Sequence, residues 1–191
     1  LDSTVHMAKA TVFEAHEQIP AALEECAESE RSARSAADPQ VLLPTLVACA
    51  YVELADGSRK RAGELVSEVL RVSAETGGLA PQLSLPLALL LTALGRANEL
   101  DDYLADAPGP SRWLDAARAF TAGDYDRAIE ICDDIGEPWV TACVRLNSAK
   151  TLLAAGRPNE ARVLLGPVFE YYRSVGAVRW LHEAEQLAGA A

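Results

Sequence analysis

No stretch of this 191-residue sequence is apolar over the length of about 18 residues or more that a membrane-spanning helix needs. The richest apolar run, Leu83 to Leu94, has the length of one buried helix. Only 6% of the residues are aromatic and runs of Val, Ile and Thr are scarce, whereas Ala, Leu, Glu and Arg are abundant. These absences argue against a membrane-spanning protein and against sheets, and the abundances favour an all-α protein. No secretory signal is recognisable, so we expect a cytoplasmic location.

Candidate catalytic and metal-binding residues are also few. The four cysteines, at positions 26, 49, 132 and 143, show no Cys-x2-Cys spacing, which predicts reduced thiols in the core. His16-Glu17 and His182-Glu183 both lack the second histidine of a His-Glu-x-x-His zinc motif. No Gly-rich phosphate loop and no recognisable nucleophile setting is present. We therefore expect no catalytic residue, no cofactor and no metal in this chain.

The charge balance narrows the range of partners. The net charge of −11 would repel a phosphate backbone and an anionic membrane surface, so we predict neither nucleic acid nor membrane as a partner. Asp101-Asp102 and Asp133-Asp134 stand near predicted helix ends, which favours solvated surface over an acid–base pair. A basic run at 59–61 opposes the dipole of the helix that it begins, and it is explained either by solvation or by a partner carboxylate.

What the sequence does contain is a repeated phrase, a Gly followed five residues later by an Ala and then by an apolar ladder. The phrase occurs as Gly57-x4-Ala62, Gly123-x4-Ala128 and Gly156-x4-Ala161. Each Gly suits the left-handed position that ends a helix, and each Ala suits the close approach of two paired helices. A repeated supersecondary unit of this kind predicts a helical-repeat array.

Turn residues and apolar spacing together predict about eleven short helices. The clearest are expected at 3–18, 20–36, 39–55, 59–76, 84–94, 112–122, 125–135, 139–155, 159–175 and 177–189. Ser3 is expected to cap the first helix, and Gly166-Pro167 to kink or break the helix over 159–175. The strongest breaker, at 107–110, predicts two regions, degenerate repeats over 1–106 and more regular hairpins over 111–191.

The phrase Gly123-Asp124-Tyr125-Asp126-Arg127-Ala128 resembles the turn of the tetratricopeptide repeat, and the phrase from Gly156 resembles it in outline. The two turns are 33 residues apart, close to that family's period of about 34 residues. The resemblance is strong over 111–176, moderate over 40–76 and absent elsewhere. It implies an all-α, right-handed superhelix of about five helical hairpins with a C-terminal capping helix.

The segment 169–185 is similar to the C-terminal end of large bacterial signalling proteins that carry an ATPase module before a tetratricopeptide-like array. Some of those proteins begin with a class III adenylate/guanylate cyclase domain, and others are transcriptional regulators. High Ala and Arg usage suits an actinobacterial source. Because the sequence begins at Leu1 and its single methionine is Met7, we expect a fragment of such a protein.

In tetratricopeptide units the first helix of each hairpin lines a concave face, and the resemblance therefore implies a candidate partner groove. Its residues would be Trp113, Ala117, Phe120, Cys143, Leu146, Lys150 and Leu153. Such a groove could hold an acidic or apolar peptide helix. The alternative is that the next helix covers these side chains as ordinary core.

These observations favour a non-catalytic module for protein–protein interaction, or for contact with other domains of the same chain, within a signalling protein. Exposed apolar surface on such an array would also favour homodimers. Two alternatives stay open: a regulatory region of a nucleotide cyclase, and a small-molecule sensor that uses the apolar region 83–94.

Overall fold

The computed structural model describes residues 2–78, 80–100 and 110–190. Within these ranges the chain forms ten α-helices, one short 3₁₀ turn and no strand, which confirms the all-α fold class. The helices are α1 (Asp2–Ala15), α2 (Ile19–Ala36), α3 (Pro39–Ala55), α4 (Arg59–Thr76), α5 (Ser84–Leu94), α6 (Arg112–Thr121), α7 (Tyr125–Ile135), α8 (Pro138–Ala154), α9 (Pro158–Val175) and α10 (Val178–Ala190).

The chain separates into two compact units, residues 1–110 and 111–191. In unit 1, α1 pairs with α2 and α3 pairs with α4, and in unit 2 α6 pairs with α7 and α8 pairs with α9. Four helical hairpins are thus present in the described residues. The sequence predicts the second half of a fifth, after α5, in the short acidic segment 96–106, and residues 101–106 of that segment lie outside the described ranges. Asp101-Asp102 and most of the 107–110 break also lie outside them.

The turns between helices follow the local chemistry of the sequence. Asp38 caps α3 by accepting a hydrogen bond from the backbone N–H of Gln40 (2.9 Å), and Asp124 caps α7 in the same way from Arg127 (3.2 Å). Gly57, Gly123 and Gly156 all have positive φ, as the repeated phrase predicts.

Five residues after each of these glycines, the alanine of the phrase lies at a helix contact. Ala62, Ala128 and Ala161 are completely buried. The ladder behind them packs inward, with Leu65, Cys132 and Leu165 among its buried members. The phrase therefore marks where helices turn and which face each one buries.

The expected cap at Ser3 is wrong, and so is the expected break at Gly166-Pro167. Ser3 lies inside α1, and its hydroxyl is buried against Ser29 (3.1 Å) and Thr45 (3.0 Å), where α1, α2 and α3 meet. Small hydroxyl side chains suit such a close crossing, because they satisfy one another without needing solvent. Gly166-Pro167, expected to kink or break the helix over 159–175, does not break α9, which continues to Val175.

Arginine–glutamate pairs join the helices of unit 1 across their exposed edges. Arg34 on α2 reaches Glu68 on α4 (2.6 Å) and Glu30 (2.7 Å), and Arg61 on α4 reaches Glu30 on α2 (2.9 Å). Arg59 donates to the Ala93 carbonyl oxygen at the end of α5 (2.9 Å). Arg59 and Arg61 of the basic run thus have acceptors on neighbouring helices, which accounts for their place in the first turn of α4.

Charge is divided unevenly between the two units. Residues 1–110 contain 8 Lys and Arg against 17 Asp and Glu, a net charge of −9. Residues 111–191 contain 9 against 11, a net charge of −2. Most of the net negative charge of the chain therefore belongs to unit 1.

Candidate interaction surface

The predicted groove residues occupy the first helices of the two hairpins in unit 2. Trp113, Ala117 and Phe120 lie on α6, and the other four lie on α8. Ala117, Phe120 and Leu146 are buried, Phe120 with only 2% of its surface exposed. The Phe120 ring packs 5.7 Å from the Tyr125 ring of α7, so most of its surface is used within its own hairpin.

The remaining groove residues, Trp113, Cys143, Lys150 and Leu153, keep part of their surface in solvent. Two of them already contact later helices. The Tyr172 hydroxyl of α9 donates to the Cys143 sulfur (3.8 Å), and Lys150 forms an ion pair with Glu183 of α10 (2.7 Å). The exposed part of the predicted groove therefore centres on α8, and α10 lies beside it.

An aromatic cluster at this point was not found from the sequence. The Trp139 and Trp180 ring centroids lie 4.6 Å apart in an edge-to-face arrangement. Tyr172 lies beneath both, 6.4 Å from Trp139 and 5.8 Å from Trp180, and is completely buried. The Arg179 guanidinium lies 5.8 Å from the Trp180 ring centroid, within the range of a cation–π contact.

The cluster is open to solvent at its edge. Trp139 has 37% of its surface exposed, and Trp113 and Trp180 are each part-exposed. All three tryptophans of the chain thus belong to unit 2, on α6, α8 and α10, and none is fully buried. Exposed indole that is held rigid by neighbouring rings is a common feature of protein-binding surfaces.

Burial favours the neutral forms of one tyrosine and two cysteines in the core. Burial raises the pKa of the Tyr172 phenol well above its ordinary value, and the adjacent Cys143 adds to this rise. Burial raises the pKa of the Cys132 thiol to about 11, and the neighbouring Cys26 together with burial raises that of Cys49 further. A thiol that stays protonated at neutral pH is a poor nucleophile, so these cysteines act as core side chains.

The acidic pair at 133–134 serves as a link between helices. Asp133 of α7 pairs with Arg145 of α8 (3.4 Å), and Asp134 pairs with Arg112 of α6 (3.1 Å). No group of three or more potential metal ligands occurs in the described part of the chain. None of the helices described there is long and apolar enough to cross a membrane.

Two other regions of unit 1 are relevant to binding. A polar cleft of about 490 Å³ is lined by side chains of both charges from α1 and α2, with His6 and Arg31 in its wall and glutamate partners beside each. Helix α5, which carries most of the region proposed for a sensor, has five of its six leucines buried. The buried leucines are Leu85, Leu87, Leu89, Leu90 and Leu91.

No protein-family model, no curated protein and no solved structure matches this chain, so the role of the surface has to be argued from its own residues.

Proposed function

We propose that this chain is a non-catalytic helical-repeat module that binds a protein segment, from another protein or from its own parent chain, at the face shared by α8 and α10. The observation that carries the proposal is the solvent-exposed Trp139 packed against Trp180. The proposed partner is a peptide or helix, because the face is a strip along helices rather than a deep cavity.

The free-energy cost of exposing the Trp139 indole to water supports this assignment. Trp139 leaves 37% of its surface in water, much of it apolar, and a partner that covered the indole would remove that cost. Contacts with Trp180 and Tyr172 hold the indole in one orientation, so little side-chain entropy remains to be lost when a partner covers it. Rigid tryptophans of this kind dominate the energy of many interfaces.

We also propose that the helical hairpins of this chain are repeats of the tetratricopeptide type. In its favour are the positive φ of Gly123 and Gly156 and the complete burial of Ala128 and Ala161, in two hairpins spaced 33 residues apart. A module of this kind would act in a signalling protein by holding partners in place. Regulation of a nucleotide cyclase stays a prediction about the parent protein, and small-molecule sensing through the region 83–94 stays a prediction about this chain.

Peptide selection tests the binding role and requires no candidate partner. A library of displayed random peptides is selected on the full chain, and the enriched sequences are synthesised and titrated calorimetrically. Trp139→Ser should weaken binding at least about tenfold, the loss of roughly 1.4 kcal/mol or more that is expected when a central aromatic contact is removed.

Val163→Ser is the matched control, because Val163 on α9 is an apolar side chain with 75% exposure and is not part of the aromatic cluster. It should leave the affinity unchanged. Failure to enrich any peptide, or equal loss of affinity in both variants, would contradict the proposed role of the α8–α10 face.

Self-association is a second proposal with its own observation. Val5 and Val12 lie two helical turns apart on α1, and both are at least half exposed. A second copy that covered this strip would bury both side chains. Light scattering after size-exclusion chromatography should show mass rising with concentration in the wild type and a monomer in Val12→Glu; a monomer in both excludes the dimer.

A further inference from the structure

Helix α10 is attached to unit 2 by one narrow face. Ala177 just before it and Ala184 within it are buried, and Trp180 and Glu183 project from the same side. Residues three and four apart share a helix face, so these four positions form a single stripe. The stripe faces α8 and α9.

Two contacts give this attachment its specificity. The Trp180 ring stacks 5.8 Å from Tyr172 of α9 and meets Trp139 of α8 edge to face. One turn further on, Glu183 places a carboxylate oxygen 2.7 Å from the Lys150 ammonium of α8. The receiving surface thus recognises an aromatic ring and a carboxylate three residues apart on one helix.

Helix α10 buries fewer of its described side chains than any other helix of the unit. The opposite side of α10 is in solvent, with Val178, His182 and Glu185 exposed. Among the described side chains of α10 the fully buried one is small, Ala184, whereas α9 buries Leu165, among other large side chains. A helix of 13 residues has little stability of its own, and segments that bury few apolar contacts open at lower free energy than the core.

We propose that α10 is the resident occupant of a helix-binding site on α8 and α9, and that the partner of this module is an amphipathic helix with the same aromatic–x–x–carboxylate pattern, which binds there in place of α10. This inference rests on the proposed role of the Trp139 surface in binding, and it narrows that role: the partner helix takes the position of α10, and its aromatic ring takes the place of Trp180 against Trp139 and Tyr172. Release of α10 would uncover the Tyr172 ring and leave Lys150 without its carboxylate. The incoming helix covers Tyr172 with its own aromatic ring and supplies a carboxylate to Lys150.

The site can be tested with the helix that already fits it. A fluorescein-labelled peptide of residues 177–190 is titrated against the full chain, as wild type and as Ala184→Glu, which places a charge in the buried position of α10 and releases it. The peptide should bind the variant at least about tenfold more tightly than the wild type, because a resident helix lowers the apparent affinity by the fraction of sites it occupies.

Charge exchange then identifies the recognition pair. In the Ala184→Glu chain, adding Lys150→Glu should weaken the peptide by about tenfold, and a peptide with Glu183→Lys should recover the loss. A peptide with Trp180→Ala should bind neither chain. A structural contribution of Lys150 alone would not be recovered by the reversed peptide, so failure of the exchange overturns the proposal.

Hydrogen exchange on the wild type keeps the proposal testable if Ala184→Glu fails to fold. The amides of α10 should exchange faster than those of α8 and α9, through an opening that leaves the rest of unit 2 protected. Exchange of α10 only with global unfolding of the unit overturns the proposal.

Hydrogen exchange of α10 and binding of the selected peptides together distinguish displacement of α10 from the binding function itself. If selected peptides bind in a Trp139-dependent way while α10 stays protected, the displacement proposal is wrong and the binding module remains. If no selected peptide and no α10 peptide binds any form of the chain, both are wrong.

Discussion

Replacing Tyr172 with alanine should remove the support of the α8–α10 surface, and the cost can be judged from its contacts. The ring is completely buried and packs against three other aromatic rings, those of Trp139, Tyr171 and Trp180, at centroid distances of 5.6–6.4 Å. The matched control is Tyr172→Phe, which keeps the ring and removes only the hydroxyl that donates to the Cys143 sulfur.

The two substitutions should differ by several kcal/mol. Truncation of a buried aromatic residue to alanine costs about 3–5 kcal/mol, and the lost ring pairs place Tyr172→Ala in the upper part of that range. Tyr172→Phe should cost about 1 kcal/mol or less, because its hydroxyl donates to a weak sulfur acceptor at 3.8 Å. A small domain has only about 5–15 kcal/mol of stability in total, so the alanine variant should be severely weakened.

Tryptophan fluorescence measures this loss in the relevant unit alone, since all three tryptophans lie within 111–191. Urea titrations followed by indole emission give the free energy of unfolding of unit 2, and far-ultraviolet circular dichroism follows the helices of both units. A loss below about 1.5 kcal/mol for Tyr172→Ala would refute the packing argument, because only an exposed or readily collapsed site costs so little. Equal losses for the alanine and phenylalanine variants would place the energy in the hydroxyl instead.

Three further predictions address other parts of the chain. Ser29→Ala should destabilise unit 1 by about 1–3 kcal/mol in urea unfolding, because it removes the donor to the Ser3 carbonyl oxygen (2.8 Å) and leaves the buried Ser3 hydroxyl with one partner fewer. Gly123→Ala should cost about 1–2 kcal/mol and Gly123→Asn less, because φ at this turn is +78° and open space surrounds the added Cβ; equal costs would contradict the conformational explanation. The Arg34 guanidinium lowers the pKa of the Glu68 carboxyl in the folded chain, so this stabilisation is complete above the unfolded-state pKa and is lost as the pH falls below 4.5. Urea midpoints of unit 1 from neutral to acid pH should therefore fall less steeply for Glu68→Gln than for the wild type, and parallel curves would refute the linkage.

Helix positions were predictable because their signals are local. Asp38 before Pro39, the glycine at 57 and the Gly-Asp pair at 123–124 determine backbone conformation within a few residues, and α3, α4, α5 and α7 begin and end within about a residue of their predicted limits. The burial of Ala62, Ala128 and Ala161 followed from the same repeated phrase.

The errors arose where tertiary contacts override a local rule. Ser3 has the chemistry of a helix cap, but its hydroxyl is used between α1, α2 and α3, whose meeting point no local spacing reveals. Gly166-Pro167 reads as a break, yet α9 continues through it because packing of its flanking turns outweighs the missing backbone donor.

The candidate surface was predictable only in part. The resemblance to the tetratricopeptide unit placed Phe120 and Lys150 on groove-lining first helices, but it does not show which neighbours cover a face. The structure buries Phe120 and pairs Lys150 with Glu183. Trp139 and Trp180 are 41 residues apart, so their contact depends on how α8 meets α10. Their rarity, as two of three tryptophans in a chain poor in aromatic residues, is the one sequence signal that could have drawn attention to them.

The uneven division of charge has a consequence for the kinetics of encounter. Unit 1, with a net charge of −9, attracts a cationic molecule from beyond contact distance, and the rate of that approach falls as salt is added. Unit 2, with a net charge of −2, has almost no such reach of its own, so its own charge does little to steer a ligand to its tryptophan face. For unit 2 expressed by itself, association at that face should therefore be nearly indifferent to ionic strength, and the lifetime of the complex, rather than the speed of its formation, would set the affinity.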